Sequence, residues 1–564
     1  MSDLARRIAV ARGDEPADLV VQGGRVLSVF TREWLETDVA VCDGYVAGLG
    51  DYEGRETLDA GGRYVVPGFI DAHMHLESTK LLVDEFARLV LPMGTTAVVA
   101  DPHEIANVLG TDGIHWLLDV CAGLPLDVFF MASSCVPASP FESPRRALTP
   151  GDLQGLLRRR RVLGLAEMMN FPGVIAGSQD ELEKLELDGA AHADGHAPGV
   201  LGKALNAYAA AGIRSDHEAL TEEEGRERLR AGIWVLIREA SMARNLRALL
   251  PLVREFGPVR MAFCTDDRDP EDIADSGHVN QMVREAVAAG IAPEDALVLA
   301  SHNAAVWHGL EHLGAIAPGF QADLLVLPDL EAFLPEVVLK AGRPIEEIPE
   351  AHVPEWVRHT VRIQPVSAND FRIPWTGGRA RVIGLVPDQV VTELTEEEPT
   401  AEDGEALADP ERDLAKIAVV ERHLGTGRMA LGLVRGFGLR RGALASTVAH
   451  DAHNIVVVGV DDGDMARAVQ RLAELGGGIV AVESRGVRAE VPLPVAGLLS
   501  DARLAEVVEQ SRACNEAAVR LGCTVATPFL TLSFLALSVI PKLKITDRGL
   551  VDVDRFELVS LAVE

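Results

Sequence analysis

The chain has 564 residues, 48% hydrophobic and 24% charged, the make-up of an ordinary folded protein with ample material for a core. Its 53 Lys and Arg against 85 Asp and Glu leave a net charge of −32, a field that repels phosphate backbones and anionic lipid surfaces and disfavours both as partners. Six scattered cysteines without a CxxC pair argue against a zinc ribbon, a thioredoxin-type motif and a disulfide scaffold.

The N-terminal stretch lacks an apolar run of signal-peptide length, which points to a cytoplasmic protein. Residues 19–71 alternate apolar and polar positions with Gly-Gly and Asp-Gly punctuation, predicting short strands and turns. From 69 to 314, short apolar runs at 95–101, 127–134, 162–168, 233–239 and 259–267 alternate with helical stretches. The polar runs at 194–199 and 213–218 continue that rhythm. Strands alternating with helices predict a parallel sheet, and eight such units in about 250 residues predict a (β/α)8 TIM barrel.

Residues 315–370 turn strand-like again. Strands from 1–68 and 315–370 can pair across the barrel's two ends into one small flanking β-domain. Residues 371–564 read as a separate C-terminal α+β domain, opening on an acidic, Pro-containing stretch at 392–413 that reads as a solvated loop. An uncharged run, 521–541, reaches membrane length, but its Thr and Ser residues and mid-run Pro528 suit a buried strand–turn–strand better than a lipid-facing helix.

The strongest local signal is Pro67–His75, which ends in His73-Met74-His75. Residues i and i+2 of a strand share a side, so the two histidines can hold one cation. Glu167, His196, His217 and the pair Asp266-Asp267 fall at the C-terminal ends of further predicted strands, the face where barrels assemble their sites. Two His, a carboxylate, two more His and a closing Asp suffice for two divalent ions sharing an oxygen bridge.

These motifs, with the tail His302-Asn303-Ala304-Ala305 through Asp323-Leu324, resemble the amidohydrolase superfamily. Within it the chain resembles the bacterial-type adenine deaminases. Glu167 stands where many relatives carry a carboxylated lysine, and Asp101–Glu104, Ser215–Glu218, Arg238-Glu239, Cys264–Asp267 and Pro541–Asp547 also match. Ala240 departs from the pattern, where Gly is expected.

The resemblance implies hydrolysis of adenine to hypoxanthine and ammonia by a hydroxide held between two divalent ions, Mn²⁺ foremost, with Fe²⁺ or Zn²⁺ as alternatives. It implies His73, His75, Glu167, His196, His217 and Asp266 as ligands, a place in purine salvage, and a homo-oligomer. Asp266 is the expected proton shuttle, with Asp267 as the alternative. Glu218, His103 and Glu104 are candidates for the acid near N1. Asp101 would orient His103, and Asp101, Glu104, Arg238 and Glu239 would contact the substrate. Ser133, Ser134 and Cys135 end a strand, and the cysteine reads as core. His450–Asn454 reads as a locally hydrogen-bonded turn rather than a metal site or a reach over the barrel mouth, and His423 has the same two readings. A cyclic-amide hydrolase and a non-catalytic descendant are the competing readings. Glu167 and the C-terminal extension weigh against the first, and the complete ligand set against the second.

Overall fold

The computed structural model describes residues 3–387 and 389–563. The N-terminal flank supplies β1 (Ala17–Ser28), β2 (Glu33–Cys42), β3 (Tyr45–Leu49), β4 (Gly54–Asp59) and β5 (Tyr64–Pro67). Eight parallel strands follow in the barrel: β6 (Phe69–Met74), β7 (Thr95–Ala100), β8 (Asp127–Ala132), β9 (Val162–Met168), β10 (Ala193–Gly195), β11 (Ser215–Asp216), β12 (Trp234–Arg238) and β13 (Met261–Cys264). The chain then returns as β14 (Leu324–Leu327), β15 (Val337–Lys340) and β16 (Arg343–Pro344), which join the N-terminal flank in one sheet of order β16-β15-β14-β5-β1-β2-β3, with β4 on β1.

Period-two patterning builds the barrel. Ile70, Ala72, Ala97, Val99, Leu236 and Ala262 meet in an interior cluster, while Val235, Ile237, Met261 and Phe263 of the same strands pack outward on helices. The Arg214 amide donates to the Ala193 carbonyl across β10 and β11. The last strand meets the first at the functional end, where the Asp266 amide donates to the His73 carbonyl at 3.0 Å and the His75 amide to the Asp266 carbonyl at 3.4 Å.

The C-terminal region is built on an eight-stranded sheet that includes Leu414–Val420, Ala443–Ser446, Ile455–Gly459 and Gly478–Glu483. One buried apolar cluster runs without a break from Phe86 and Leu109 of the barrel to Leu444, Leu499 and Leu532 of this region. The Leu504 amide and Arg503 both donate to Glu85, and Ser139 bonds Ser538 at 2.7 Å.

Two local expectations are corrected. The acidic stretch is not a loop throughout: Thr392–Glu397 is an edge strand paired along its length with Ala380–Leu385. Glu397 there accepts from Arg412 and Arg435, and charges suit an edge that must not recruit another strand. The uncharged run 521–541 is not strand–turn–strand. Pro528 starts a buried helix, Pro528–Phe534, because its missing N–H costs nothing in a first turn. Among the described residues, no helix is long and apolar enough to cross a membrane.

Candidate active site

The barrel's C-terminal mouth gathers the side chains singled out from sequence. His73 and His75 leave β6 where its pairing with β7 shifts register, and their ring centres lie 5.0 Å apart at 89°. Glu167, near the end of β9, stands between two histidine pairs. Its Oε1 is 3.4 Å from His75 Nε2 and 3.9 Å from His73 Nε2, and its Oε2 is 2.9 Å from His196 Nδ1 and 3.2 Å from His217 Nε2. His196 follows Gly195, which only glycine can fill, since an added Cβ would sit 2.4 Å from the Ser215 carbonyl oxygen. The His196 loop is pinned to β11 by Asp216, which accepts from the Ala197 amide and from fully buried Arg228.

Asp266 closes the ring, with Oδ1 3.1 Å from His75 Nε2 and Oδ2 accepting from Arg238 Nη1 at 2.7 Å. Its φ of 58° lies in the left-handed region, a strain held by the two backbone bonds to β6. Burial pushes the Asp266 carboxyl up, but Arg238 and the neighbouring histidines outweigh it and hold it well below the usual carboxylate range. Burial likewise pushes Glu167 up, and the hydrogen bonds from His196 and His217 hold it far down. Burial lowers His217, yet its bond to Glu167 raises it to about 9.

A metal fits this donor set. His73 Nε2 and His196 Nε2 are buried without a hydrogen-bond partner among the described residues. The donor atoms of His73, His75 and Asp266, and those of His73, Glu167 and His217, lie within 4.8 Å of one another. Imidazole nitrogens with carboxylate oxygens suit first-row divalent ions.

The other predicted residues divide between the cavity wall and its support. His103, Glu218 and Arg238 line the cavity. Arg238 also grips Glu218, with Nη2 3.2 Å from its Oε2, so it is bound to two carboxylates rather than forming a rim pair with Glu239. Three expected substrate contacts are corrected. Asp101 lies behind His103, accepting its Nδ1–H at 3.0 Å and the Ser133 hydroxyl at 2.7 Å. Glu104 lies off the wall, accepting from Ser78 at 2.9 Å, and Glu239 faces Arg244 at 3.8 Å. Asp267 shares the Ser78 hydroxyl with Glu104 and lines the cavity beside Asp266, 3.8 Å from His450 Nε2. Ser134 bonds the Glu167 carbonyl, and Cys135 is buried, as read.

The segment His450–Asn454 is more than a local turn, and here the sequence reading is overturned. Asp451 Oδ1 is 3.4 Å from His103 Nε2, His453 Nε2 is 3.6 Å from Glu104, and His450 Nε2 is 3.8 Å from Asp267. His450 and Asp451 line the cavity, with Val390, Phe534, Leu537 and Ile540 also coming from the C-terminal region. The only signal for this was the histidine-rich spacing itself. His423 stays local, donating Nε2–H to the Ala452 carbonyl.

The chain is similar to known proteins along its length. The amidohydrolase family matches residues 64–351, and the adenine deaminase C-terminal domain matches residues 389–557. "Adenine deaminase 2" of Carboxydothermus hydrogenoformans is 45% identical, with all of both chains covered. The adenine deaminase of Desulfatibacillum aliphaticivorans is 46% identical over 98% of this chain and 99% of its own. That of Brucella suis is 47% identical over 97% and 95%.

Proposed function

This chain belongs to the adenine deaminases of the amidohydrolase family, and from that premise we propose how its residues share the hydrolysis of adenine to hypoxanthine and ammonia. The observation that carries the assignment of roles is Glu167, whose two oxygens reach His75 on one side and His196 on the other.

His73, His75, Glu167, His196, His217 and Asp266 would hold two divalent ions, Mn²⁺, Fe²⁺ or Zn²⁺, which when bound supply a water acidic enough to ionise near neutral pH. The remaining work is proton traffic. Converting the amidine carbon to a carbonyl strips both protons from the attacking water: one ends on the leaving ammonia, the other on N1. Asp266 takes the first and passes it to the amine, as a carboxylate beside the reacting carbon. Glu218, on the wall and fixed by Arg238, serves the N1 edge. His103 is held between Asp101 and Asp451, so its ring is locked in orientation on the cavity wall. Burial pulls its pKa down, but those two carboxylates lift it well above the usual value.

The test is ammonia release from adenine by protein reconstituted with Mn²⁺, with metal content measured in parallel. Turnover with about two ions per chain supports the reading. Faster hydrolysis of dihydroorotate than of adenine, or no activity at full metal loading, would overturn it.

A further inference from the structure

The cavity has two unlike halves. The barrel half carries the histidine–carboxylate cluster, Glu218 and Arg238. The C-terminal half is apolar, with Phe534, Leu537, Ile540 and Val390, except for His450 and Asp451. Asp451 is 1% exposed. Its Oδ1 faces His103 Nε2 and His450 Nδ1, both at 3.4 Å, while its Oδ2 has no hydrogen-bond partner among the described residues. A buried carboxylate oxygen left without a donor is costly, and the cost is removed when a ligand supplies one.

A metal is the obvious alternative for this polar cluster, since His103, His450 and Asp451 could hold an ion, as could Glu104, His450 and His453. The tautomer of His453 speaks against the second of these. The Ala449 amide can only donate, and it donates to His453 Nδ1 at 3.1 Å. The proton of the neutral ring therefore sits on Nε2, which points at Glu104 and has no lone pair to give an ion. His103 donates Nδ1–H to Asp101, which leaves its Nε2 lone pair free, so an ion on His103, His450 and Asp451 is the outcome that the metal content of an Asp451 variant decides.

The position of Asp451 indicates the missing donor. It lies beyond His103, one imidazole ring farther from Glu167. A purine whose amidine carbon faces the metal cluster presents its five-membered ring at the opposite end. In the free base that ring carries one N–H. We propose that Asp451, contributed by the C-terminal domain, is a specificity-determining residue that accepts the imidazole N–H of the purine. The inference rests on the deaminase reading above. It makes the C-terminal domain half of the active site, and it makes the free base, rather than an N9-substituted nucleoside, the substrate the cavity selects.

The experiment compares adenine, 7-methyladenine and 9-methyladenine as substrates for the wild-type enzyme and for Asp451→Asn, an isosteric change. In the wild type, methylation at either position removes the ring's one N–H, so 7-methyladenine and 9-methyladenine should each lose at least ~10²-fold in kcat/KM, since a site built to pair a polar group rejects analogues lacking it. In Asp451→Asn, adenine should fall by a similar factor, so that the preference for it over the two methyl bases largely disappears. A purely steric block would survive the isosteric change, and an unaltered ratio overturns the proposal. So does loss of a metal equivalent in the variant, which would make Asp451 a ligand. Equal wild-type rates on all three bases overturn it whether or not the variant folds. Absence of adenine turnover in the wild type would instead strike the deaminase reading itself.

Discussion

Arg238 and Asp266 are joined by a 2.7 Å hydrogen bond between Nη1 and Oδ2, both side chains buried, with the same guanidinium also gripping Glu218. One cation thus fixes the two carboxylates proposed to act at the water and at N1. Arg238→Met should leave both uncompensated, costing about 3–5 kcal/mol of stability, as breaking a buried pair does. Turnover should fall at least ~10²-fold, since both groups lose their orientation. Thermal unfolding and steady-state kinetics together check this, and a stable, active variant would refute it.

Glu167 touches both histidine pairs, so its removal should cost metal before it costs fold. Glu167→Ala, reconstituted with Mn²⁺ and freed of excess ion, should lose at least one of about two equivalents per chain and its activity. Full loading with undiminished turnover would rule out a bridging role.

Asp266 and Asp267 can be separated by the same substitution made at each. Asp266 faces His75 and Arg238, whereas Asp267 accepts from Ser78 and lies 3.8 Å from His450. Asp266→Asn should fold normally and lose ~10²–10⁴-fold in kcat, the usual scale for a proton-transfer group. Asp267→Asn should lose far less. The reverse order would mean that the shuttle is Asp267.

Glu142 provides a pH test outside the chemistry. Burial, together with the charge of Asp451, raises its carboxyl from 4.5 to about 8. Below 4.5 both folded and unfolded chains hold the proton; between 4.5 and 8 only the folded chain keeps it. This group's stabilising contribution is therefore complete at low pH and lost as pH rises through that window, by up to about 1.4 kcal/mol per unit. Glu142→Gln should flatten the decline, and thermal midpoints from pH 5 to 8 that run parallel in the two proteins would reject the assignment.

The barrel and its histidine cluster are legible in sequence because each strand is a short apolar run and each candidate ligand follows it directly. His73, Glu167, His217 and Asp266 all sit at such boundaries. What could not be read is what tertiary approach decides. His450 and Asp451 come to the cavity from more than 180 residues past the last barrel strand, and apart from the histidine-rich spacing nothing local distinguishes them from an ordinary polar turn. Glu104 and Glu239 erred in the opposite direction: motif proximity put them at the substrate, while helix start and strand end turn them away from it. Thr392–Glu397 hid its strand because its acids serve an edge, where charge and β-structure coexist.

The small flanking sheet imposes a timetable on synthesis. Val65 of β5 lies between Val26 of β1 and Val326 of β14, in register with both. The second partner is roughly 260 residues downstream, a long-range contact of the kind that slows folding. As the chain leaves the ribosome, β5 therefore has one open side throughout the time the whole barrel is being made. The barrel's first strand begins immediately after β5, so closure of the sheet by β14 also anchors the end of the barrel opposite the active site. A chain stopped between Asp267 and Leu324 would carry every candidate barrel ligand and still present an unpaired strand edge.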